Sequence, residues 1–403
     1  MTRVRRVLIF PCTDTFSHVG RALALTDWLE AVGFEVHIGV ARPRGPWVSR
    51  FFPRCHRVCE LWEPSGIPFP CISWFADGEH VERCIRSQED VIREVRPDLI
   101  VGIFDFVSAV SCGSRPLVTL NGACMLPTYD GVLGFDGRPS RARDEQRRLF
   151  ESFWVFAGRA FRRALAARDR PEVRLATELL VGDRSLVYEI PEVCGAQALP
   201  DGGSFVGPIT WPGWETIGEE PPLEREEGAP TVYLNSGSLP KRGELLARLA
   251  GEALAAGARV LLSTGVGGAS ETAPRLFSRP LLRPVPAIRA ADLVVCTGGV
   301  GSCYTNLLHG VPTLVLPTQP EQATNGINLE RAGCGRVLLA NRPFVGHPAE
   351  YLEALEPGQF SVVLREILEG LAPRAAAALA AIRRALRGVK TRERVVALAE
   401  ELL

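Results

Sequence analysis

The feature that most constrains this chain is an alternation of strand and helix patterns that occurs on both sides of a proline- and glycine-rich stretch. Residues 4–12 have the continuous apolar character of a strand that is covered on both faces, as in a parallel sheet. Residues 18–33 then carry apolar side chains at helical spacing and end at Gly33, a typical helix C-terminus. Strand, helix and strand joined by short links predict βαβ units and a doubly wound sheet.

The same alternation returns after residue 230, so the sequence predicts a second unit of the same kind. Between the two units the chain is rich in proline, glycine and acidic residues, which favours an interdomain linker. The predicted fold is α/β, with two Rossmann-like, doubly wound domains facing each other across a cleft, where ligands of such sheets bind. The predicted division is an N-terminal domain 1–208, a linker 209–230, a C-terminal domain 231–375 and a helical tail 376–403 that packs back on the N-terminal domain.

Composition excludes several classes of partner and location. The chain has 403 residues, with 46 basic and 46 acidic side chains, and this balance argues against a nucleic-acid partner. No apolar run reaches the about 18 residues of a membrane span, and the apolar start is too short for a signal peptide. The 11 cysteines, an odd number without a secretory signal, indicate reduced thiols and a cytoplasmic location. Cys55, His56 and Cys59 form the one cysteine–histidine cluster, and no second ligand pair follows, so no metal site is predicted.

A glycine-rich turn between an apolar strand and a helix is the strongest candidate binding element. Gly298, Gly299 and Gly301 permit close approach of a ligand to the backbone, and Ser302 can donate a hydroxyl. A turn of this kind directs backbone N–H groups and a helix N-terminus at an anion, which suits a diphosphate. The alternative is a tight turn with no ligand.

A second polar group follows the next strand along the chain. Glu321 and Gln322 lie side by side, and Asn325 follows three residues later. An acid and an amide at this position can hydrogen-bond the hydroxyl groups of a sugar. The alternative is a group of residues that caps the helix beginning near Asn325.

In the N-terminal half, His18 and Asp105 are candidate catalytic residues. His18 lies between the first strand and the first helix, at the rim of the predicted cleft, where a neutral imidazole can accept a proton from a hydroxyl. Asp105 ends a buried strand that faces the same cleft, and its carboxylate can orient the imidazolium. The alternatives are a structural histidine and an aspartate that caps the next helix. Asp14 is a second candidate partner of His18.

An arginine-rich helical segment, 138–170, carries apolar residues on one face. Two interpretations remain open. The face packs into the core, or it forms a lid over an apolar acceptor or lies on a membrane surface. The residues of this face are Phe150, Trp154, Ala157, Phe161 and Ala164.

Taken together, these motifs resemble the GT-B glycosyltransferases of the family-1 type, which includes UDP-glycosyltransferases and macrolide glycosyltransferases. The resemblance extends over most of the chain and is densest in 231–340. The Gly-Ser turn at Ser238 and the Arg283–Pro286 segment around Val285 also resemble that family. The family signature is matched at Gly298, Gly299, Gly301, Ser302, Gly310, Val311, Pro312, Pro317, Glu321, Gln322 and Asn325.

The resemblance implies an inverting, metal-independent transfer of a hexose from a UDP- or dTDP-sugar to a hydroxyl of a small lipophilic acceptor, with no cofactor. It implies that His18 is the general base and that Asp105 orients it. Ser238 would contact the donor phosphate, and Val285 would lie beside the nucleotide base. Thr297 occupies the position of the family's signature histidine. The implied donor-binding residues are Ser238, Val285, Thr297, Gly298, Gly299, Gly301, Ser302, Glu321, Gln322 and Asn325.

Two departures from the family pattern keep alternatives open. Thr297 replaces the histidine that donates to the diphosphate, and Thr305 replaces the glutamate that holds the ribose hydroxyls. A binding relative without transfer activity is one alternative, and a lipid-carrier glycosyltransferase at the membrane surface is another. The membrane surface is the less favoured partner. The sequence is compatible with a monomer or a homodimer.

Overall fold

The computed structural model contains two seven-stranded sheets. It describes residues 4–13, 15–41, 48–61, 73–195, 197–223, 228–235, 243–265, 268–339 and 358–403.

The N-terminal sheet is parallel throughout and has the order β3-β2-β1-β4-β5-β6-β7. The strand order reverses between β1 and β4, and the loops that follow these two strands therefore open the crevice where ligands of such sheets bind. Its strands are β1 (Arg6–Pro11), β2 (Glu35–Ala41), β3 (Cys55–Val58), β4 (Leu99–Ile103), β5 (Leu117–Asn121), β6 (Arg184–Val187) and β7 (Gly203–Phe205).

Helices cover both faces of this sheet, as the strand–helix alternation predicts. In the N-terminal half they are α1 (Phe16–Glu30), α2 (Ser73–Ala76), α3 (Gly78–Val95), α4 (Ser108–Ser111), α5 (Arg141–Ala166) and α6 (Pro191–Cys194), with 3₁₀ turns at Ala123–Met125, Ala176–Leu180 and Pro212–Thr216.

The C-terminal sheet has the order β10-β11-β9-β8-β12-β13-β14, and only β10 runs antiparallel to its neighbour. Here the order reverses between β8 and β12, which places the glycine-rich turn after β12 at the switch point of the second sheet. Its strands are β8 (Thr231–Asn235), β9 (Arg259–Ser263), β10 (Glu271–Ala273), β11 (Leu276–Arg279), β12 (Leu293–Cys296), β13 (Thr313–Val315) and β14 (Gly335–Val337).

Helices also cover both faces of the second sheet. They are α7 (Gly243–Ala255), α8 (Pro284–Ala290), α9 (Val300–His309), α10 (Pro320–Arg331), α11 (Gln359–Glu366), α12 (Ala372–Gly388) and α13 (Thr391–Glu401), with a π-helical turn at Ile367–Leu371.

The two parallel-sheet domains confirm the predicted α/β, GT-B-like fold class. The strands that the apolar runs predicted are present, while β3, β6, β7, β10, β11 and β14 had no clear signal. These strands have three or four residues each, and most lie toward the edges of the sheets. A strand of that length carries too few side chains for a two-residue or continuous apolar pattern to be distinguished from a loop.

The apolar face of α5 lies in the core of the N-terminal domain. Phe150, Trp154 and Phe161 are at most 8% exposed and belong to one cluster with Phe75 and Phe106. The core-facing interpretation of this segment is therefore confirmed. The aromatic face is covered by protein, so the interpretation of α5 as a lid or a membrane-surface helix is wrong.

The last helix of the chain packs on the N-terminal sheet, far in sequence from the strands it covers. Val395 and Ala399 of α13 are buried in the same cluster as Leu25 and Leu29 of α1. Arg394 Nη1 donates to the Phe205 carbonyl at 3.0 Å. A small apolar cavity of about 20 Å³ lies between this helix and the sheet.

Within the described ranges, no helix combines the length and the apolar character that a bilayer crossing requires.

Candidate functional site

The glycine-rich turn joins β12 to α9 at the carboxyl edge of the C-terminal sheet. Gly298 has a φ of +89°, and a Cβ there would lie 2.7 Å from the Gln322 carbonyl oxygen. Gly299 is the N-cap residue that precedes α9; its φ is −61°, and a Cβ there would meet no atom within 4 Å. The first glycine is therefore required by close packing, and the second leaves the N-terminus of α9 open to a ligand.

Side chains of α10 hold this turn in place. Asn325 Nδ2 donates to the Gly298 carbonyl and to Glu321 Oε1, both at 2.8 Å. Gln322 Oε1 accepts from the Thr318 backbone N–H at 3.0 Å and from its hydroxyl at 2.9 Å. Asn325 and the oxygen of Gln322 therefore bind protein groups, while Glu321 is tied to the turn through Asn325.

The two threonines at the departures from the family pattern also lie at this turn. Thr297 is buried at its start. Thr305 donates its hydroxyl hydrogen to the Gly301 carbonyl at 2.8 Å, one turn back along α9. This bond occupies the Thr305 hydroxyl within its own helix. Val285 lies in α8, and its backbone N–H bonds the carboxylate of Glu215 in the linker. Ser238 lies outside the described residues.

The first turns of α1 and α9 lie next to each other at the boundary between the two domains. A Cβ at Gly301 would lie 4.0 Å from the Ser17 Cβ, although the two residues belong to different domains. Both helices present unpaired N–H groups and the positive ends of their dipoles at this point. The potential between them favours an anion.

His18 lies in the first turn of α1, with its ring centroid 5.5 Å from that of Phe104. Its Nδ1 is buried without a hydrogen-bond partner. Burial and the nearby Arg21 cation lower the pKa of His18 to about 3, and a hydrogen bond to the Cys12 backbone opposes this change only in part. The imidazole is therefore neutral near pH 7, as a proton acceptor must be.

Asp105 follows β4 at the same edge of the sheet, but its oxygens bind groups other than His18. They accept from Gln88 Nε2 at 2.9 Å, from the Val107 and Ser108 backbone N–H groups at 3.3 and 3.1 Å, and from the Ser108 hydroxyl. Burial raises the pKa of Asp105 despite these bonds. In this structure Asp105 supports the start of α4, and its role toward His18 stays a prediction. Asp14 lies outside the described residues.

Phe104, between β4 and Asp105, has a left-handed backbone with φ +49°. Such a conformation costs about 1–3 kcal/mol at a non-glycine residue and often accompanies a functional site. It is found where the Phe104 ring contacts that of His18. No sequence pattern indicates this conformation.

Two buried charged residues that the sequence did not single out, Arg21 and Glu189, lie within electrostatic reach of His18 or Glu321. Arg21, one turn after His18, is 3% exposed, and its guanidinium carbon lies 3.7 Å from the centre of the Tyr188 ring. Glu189 is also 3% exposed and accepts from the Ala123 backbone N–H at 2.6 Å. Burial raises the pKa of Glu189 to about 7, and Glu321 acts in the same direction.

One available signal could have identified Glu189. It follows the buried strand β6, at the same carboxyl edge that carries His18 and Asp105. A charged side chain directly after a buried parallel strand is a candidate cleft residue. Arg21 had no such signal, because a basic residue within an amphipathic helix usually faces solvent.

The loop after β5 closes against the C-terminal domain. Met125, Leu126 and Leu133 are buried in it, and the Gly134 N–H donates to Thr324 Oγ1 of α10 at 2.9 Å. This loop forms an apolar wall near the carboxyl edge of the first sheet.

No protein-family model matches the chain. A PGL/p-HBAD biosynthesis glycosyltransferase of Mycobacterium tuberculosis is 25% identical over 401 residues, which covers 93% of this chain and 90% of that protein. The solved glycotransferase of kitacinnamycin has a TM-score of 0.76 at 18% identity, with full coverage of both chains. The spinosyn rhamnosyltransferase SpnG, solved with thymidine diphosphate and with spinosyn aglycone, has a TM-score of 0.66 at 16–17% identity, covering 98% of this chain and 100% of SpnG.

The structural matches agree with the fold that the two sheets display, and the sequence relative is named a glycosyltransferase. The glycine-rich turn between β12 and α9, called the donor turn below, lies at the switch point of the second sheet. We conclude that the chain has the GT-B fold and is similar over most of its length to glycosyltransferases.

Proposed function

We propose that the enzyme transfers a hexose from a UDP- or dTDP-sugar to a hydroxyl of a small lipophilic acceptor, with inversion at the anomeric carbon and without a metal. The observation that carries this proposal is the meeting of two helix N-termini at Ser17 and Gly301, beside the open position at Gly299. A diphosphate is the group of a nucleotide sugar that such a site attracts.

We assign the contacts with the nucleotide sugar to residues at the start of α9 and at the neighbouring helix α10. The free N–H groups at the start of α9 bind the diphosphate, with Ser302 and Thr297 as further hydroxyl donors and Ser238, which follows β8 in the sequence, as another. Glu321, on the first turn of α10, faces the sugar hydroxyls. Backbone amides fixed in advance stabilise the leaving diphosphate without reorganisation, which is usually the largest catalytic contribution. SpnG, a structural neighbour solved with thymidine diphosphate, supports the choice of nucleotide.

His18 accepts the proton of the acceptor hydroxyl as its oxygen attacks the anomeric carbon. A pKa of about 3 makes the imidazole a weak base in the free enzyme. A bound diphosphate adds negative charge near Arg21 and raises the His18 pKa toward the working pH, because opposite charges favour the protonated ring. We therefore expect proton transfer to depend on the donor being bound.

The acceptor site lies on the N-terminal side of the cleft. Phe104, whose ring contacts that of His18, packs against the apolar cluster that contains Met125 and Leu133. This surrounding favours a lipophilic acceptor with one hydroxyl directed at the imidazole. The apolar face of α5 is buried in the protein core, so it gives no support for a lipophilic acceptor.

The test is calorimetric titration with UDP, dTDP and GDP, followed by transfer assays with the sugar of the nucleotide that binds. We expect binding of one nucleoside diphosphate, a product with inverted anomeric configuration by NMR, and unchanged rates in EDTA. His18→Gln should reduce kcat at least 100-fold with little change in nucleotide affinity. Unchanged turnover in that variant would remove His18 from the mechanism.

A binding protein without transfer activity is the second candidate. It is favoured by Thr297 in place of a histidine, by the occupied Thr305 hydroxyl and by the engagement of Asp105 away from His18. This candidate predicts nucleotide binding with no product for any donor and acceptor pair.

A lipid-carrier acceptor at the membrane surface would give a different result. In that case the enzyme would sediment with anionic vesicles, and salt would release it. We propose a cytoplasmic enzyme that remains in the supernatant, and this agrees with the ten described cysteines, all of which are free thiols.

A further inference from the structure

Arg21 is a buried cation whose donors are not satisfied. It is 3% exposed, and both Nε and Nη1 are buried without a hydrogen-bond partner. A buried guanidinium is expensive unless it is paired, so a position of this kind needs an explanation. Arginine cannot lose its proton to escape this cost.

No ion pair within the described part of the chain explains Arg21. Its guanidinium stacks on Tyr188, and it influences Glu189 and Glu321 electrostatically, but no hydrogen bond joins it to either carboxylate. Burial raises the pKa of Glu321 and of Glu189, and the Arg21 cation opposes this rise at both carboxyl groups. Among the described residues, the Arg21 guanidinium therefore has no hydrogen-bonded counter-ion.

Arg21 lies within electrostatic reach of both the candidate base and the acid that is tied to the glycine-rich turn. Arg21 is four residues after Ser17 and three after His18, on one face of α1, and helical side chains lean toward the N-terminus of their helix. The positive charge of Arg21 lowers the pKa of His18. It also lowers the pKa of Glu321, against the effect of burial. Asn325 Nδ2 donates both to the Glu321 carboxylate and to the Gly298 carbonyl.

The donor turn itself contains no cation. Residues 297–302 are threonine, glycine, valine and serine, so the turn offers backbone N–H groups, hydroxyls and the partial charge of one helix end. A diphosphate leaving group gains a full negative charge when its bond to the sugar breaks. A charged hydrogen-bond donor stabilises that anion more strongly than a neutral one.

We propose that Arg21, from the N-terminal domain, binds the diphosphate of the nucleotide sugar and supplies the positive charge that the donor turn lacks. This inference rests on the proposed transfer function. In the transfer, the bond between the acceptor oxygen and the anomeric carbon forms, and the bond between that carbon and the diphosphate oxygen breaks. The acceptor proton moves to His18, the electron pair leaves with the diphosphate, and Arg21 stays protonated and hydrogen-bonds the anion.

The assignment has a consequence for how the two domains cooperate. The diphosphate would contact α9 of one domain and α1 of the other at the same time. Nucleotide binding would then draw the two helix N-termini together, and part of the binding energy would depend on both domains.

The test compares Arg21→Gln, Arg21→Lys and Arg21→Met with the wild type by calorimetry. The ligands are the nucleoside diphosphate that the wild type binds and the corresponding nucleoside. We expect Arg21→Gln and Arg21→Met to weaken diphosphate binding about 10–100-fold and to leave nucleoside binding unchanged, because charged hydrogen bonds contribute on this scale. Arg21→Lys keeps the charge and should retain more affinity than either.

Arg331→Gln is the matched control. Arg331 also reaches across the domain boundary, where it donates to the Val193 carbonyl at 3.3 Å, and it already has protein partners. Its replacement should leave diphosphate affinity within about 2-fold of the wild type. Thermal midpoints of all four variants establish whether each one is folded. If Arg21→Gln does not fold, Arg21→Met replaces it in the comparison, because methionine has a volume similar to that of arginine.

The outcomes separate the two proposals. A wild type that binds no nucleoside diphosphate contradicts the proposed function itself. A wild type that binds, together with folded Arg21→Gln or Arg21→Met that binds equally well, overturns only the role of Arg21. An equal loss of diphosphate affinity in Arg331→Gln also overturns the role of Arg21, because the loss would then come from disturbing the domain boundary in general.

Discussion

The replacement Gly298→Ala tests whether the donor turn has the geometry described above. The backbone φ of +89° costs an alanine about 1–2 kcal/mol. The new Cβ would lie 2.7 Å from the Gln322 carbonyl oxygen and 2.5 Å from Val315 Cγ1, and relieving such contacts costs about 1–3 kcal/mol. Alanine restricts the unfolded chain and returns about 0.4–1 kcal/mol. With each contribution taken at the middle of its range, the expected net loss of stability is about 3 kcal/mol.

Gly299→Ala is the control in the same turn. Its φ of −61° suits any residue, and its Cβ meets no atom within 4 Å. The loss of a glycine cap and the gain from the unfolded chain nearly cancel, so stability should change by less than about 1 kcal/mol. Its methyl group would nevertheless project into the open position before α9, and nucleoside diphosphate affinity should fall at least about 10-fold.

The assay is urea unfolding followed by circular dichroism, together with the thermal midpoint and calorimetric titration of the nucleotide. Gly298→Ala should lower the midpoint by about 5–15 °C, since one kcal/mol shifts a domain of this size by about 2–4 °C. If Gly299→Ala is the more destabilised of the two variants, the description of the turn is wrong. If Gly299→Ala binds nucleotide as well as the wild type does, the anion does not bind before α9.

Other predictions follow from burial and charge. Phe161→Ala should cost about 3–5 kcal/mol in the free energy of unfolding, while Phe156→Ala on the exposed side of α5 should cost less than about 1, and equal losses would contradict the buried face. The pKa of Glu189 is raised from 4.5 to about 7, so its contribution to stability is lost as the pH rises through this interval. In denaturation experiments, Glu189→Gln should reduce the change of the free energy of unfolding with pH over the same interval. The pKa of His18 is lowered from 6.5 to about 3, so stability is lost as the pH falls below about 6.5, and His18→Gln should reduce this acid sensitivity. Asn325→Ala should cost about 1–3 kcal/mol, because it leaves the Gly298 carbonyl without its side-chain donor, and an unchanged unfolding midpoint would contradict this role.

The sequence predicted the parts of the site that depend on backbone conformation. A glycine-rich turn between a buried strand and a helix allows few backbone arrangements, and Gly298 adopts the positive φ that such a turn demands. The positions of His18 and Asp105 were predictable for a similar reason, because both follow strands that flank the switch point of the first sheet.

Side-chain partners could not be predicted in the same way. Asp105 had several donors within reach, and the sequence does not say that Gln88 and Ser108 compete successfully with His18. The role of Asn325 depends on how α10 packs against the turn, which is a tertiary contact. Arg21 could be identified as a candidate site residue only from its burial in the structure, because its charge and its position in a helix suggested a solvated side chain.

The return of α13 to the N-terminal sheet determines how this enzyme can be divided and recombined. A cut within the predicted linker 209–230 would not release two independent halves, because Val395 and Ala399 would still anchor the second fragment to α1. A chimera that joins this N-terminal domain to a foreign donor domain should therefore take its last helix from this chain as well. A single crossover at the linker would replace α13 with a foreign helix and leave Leu25 and Leu29 facing a mismatched surface.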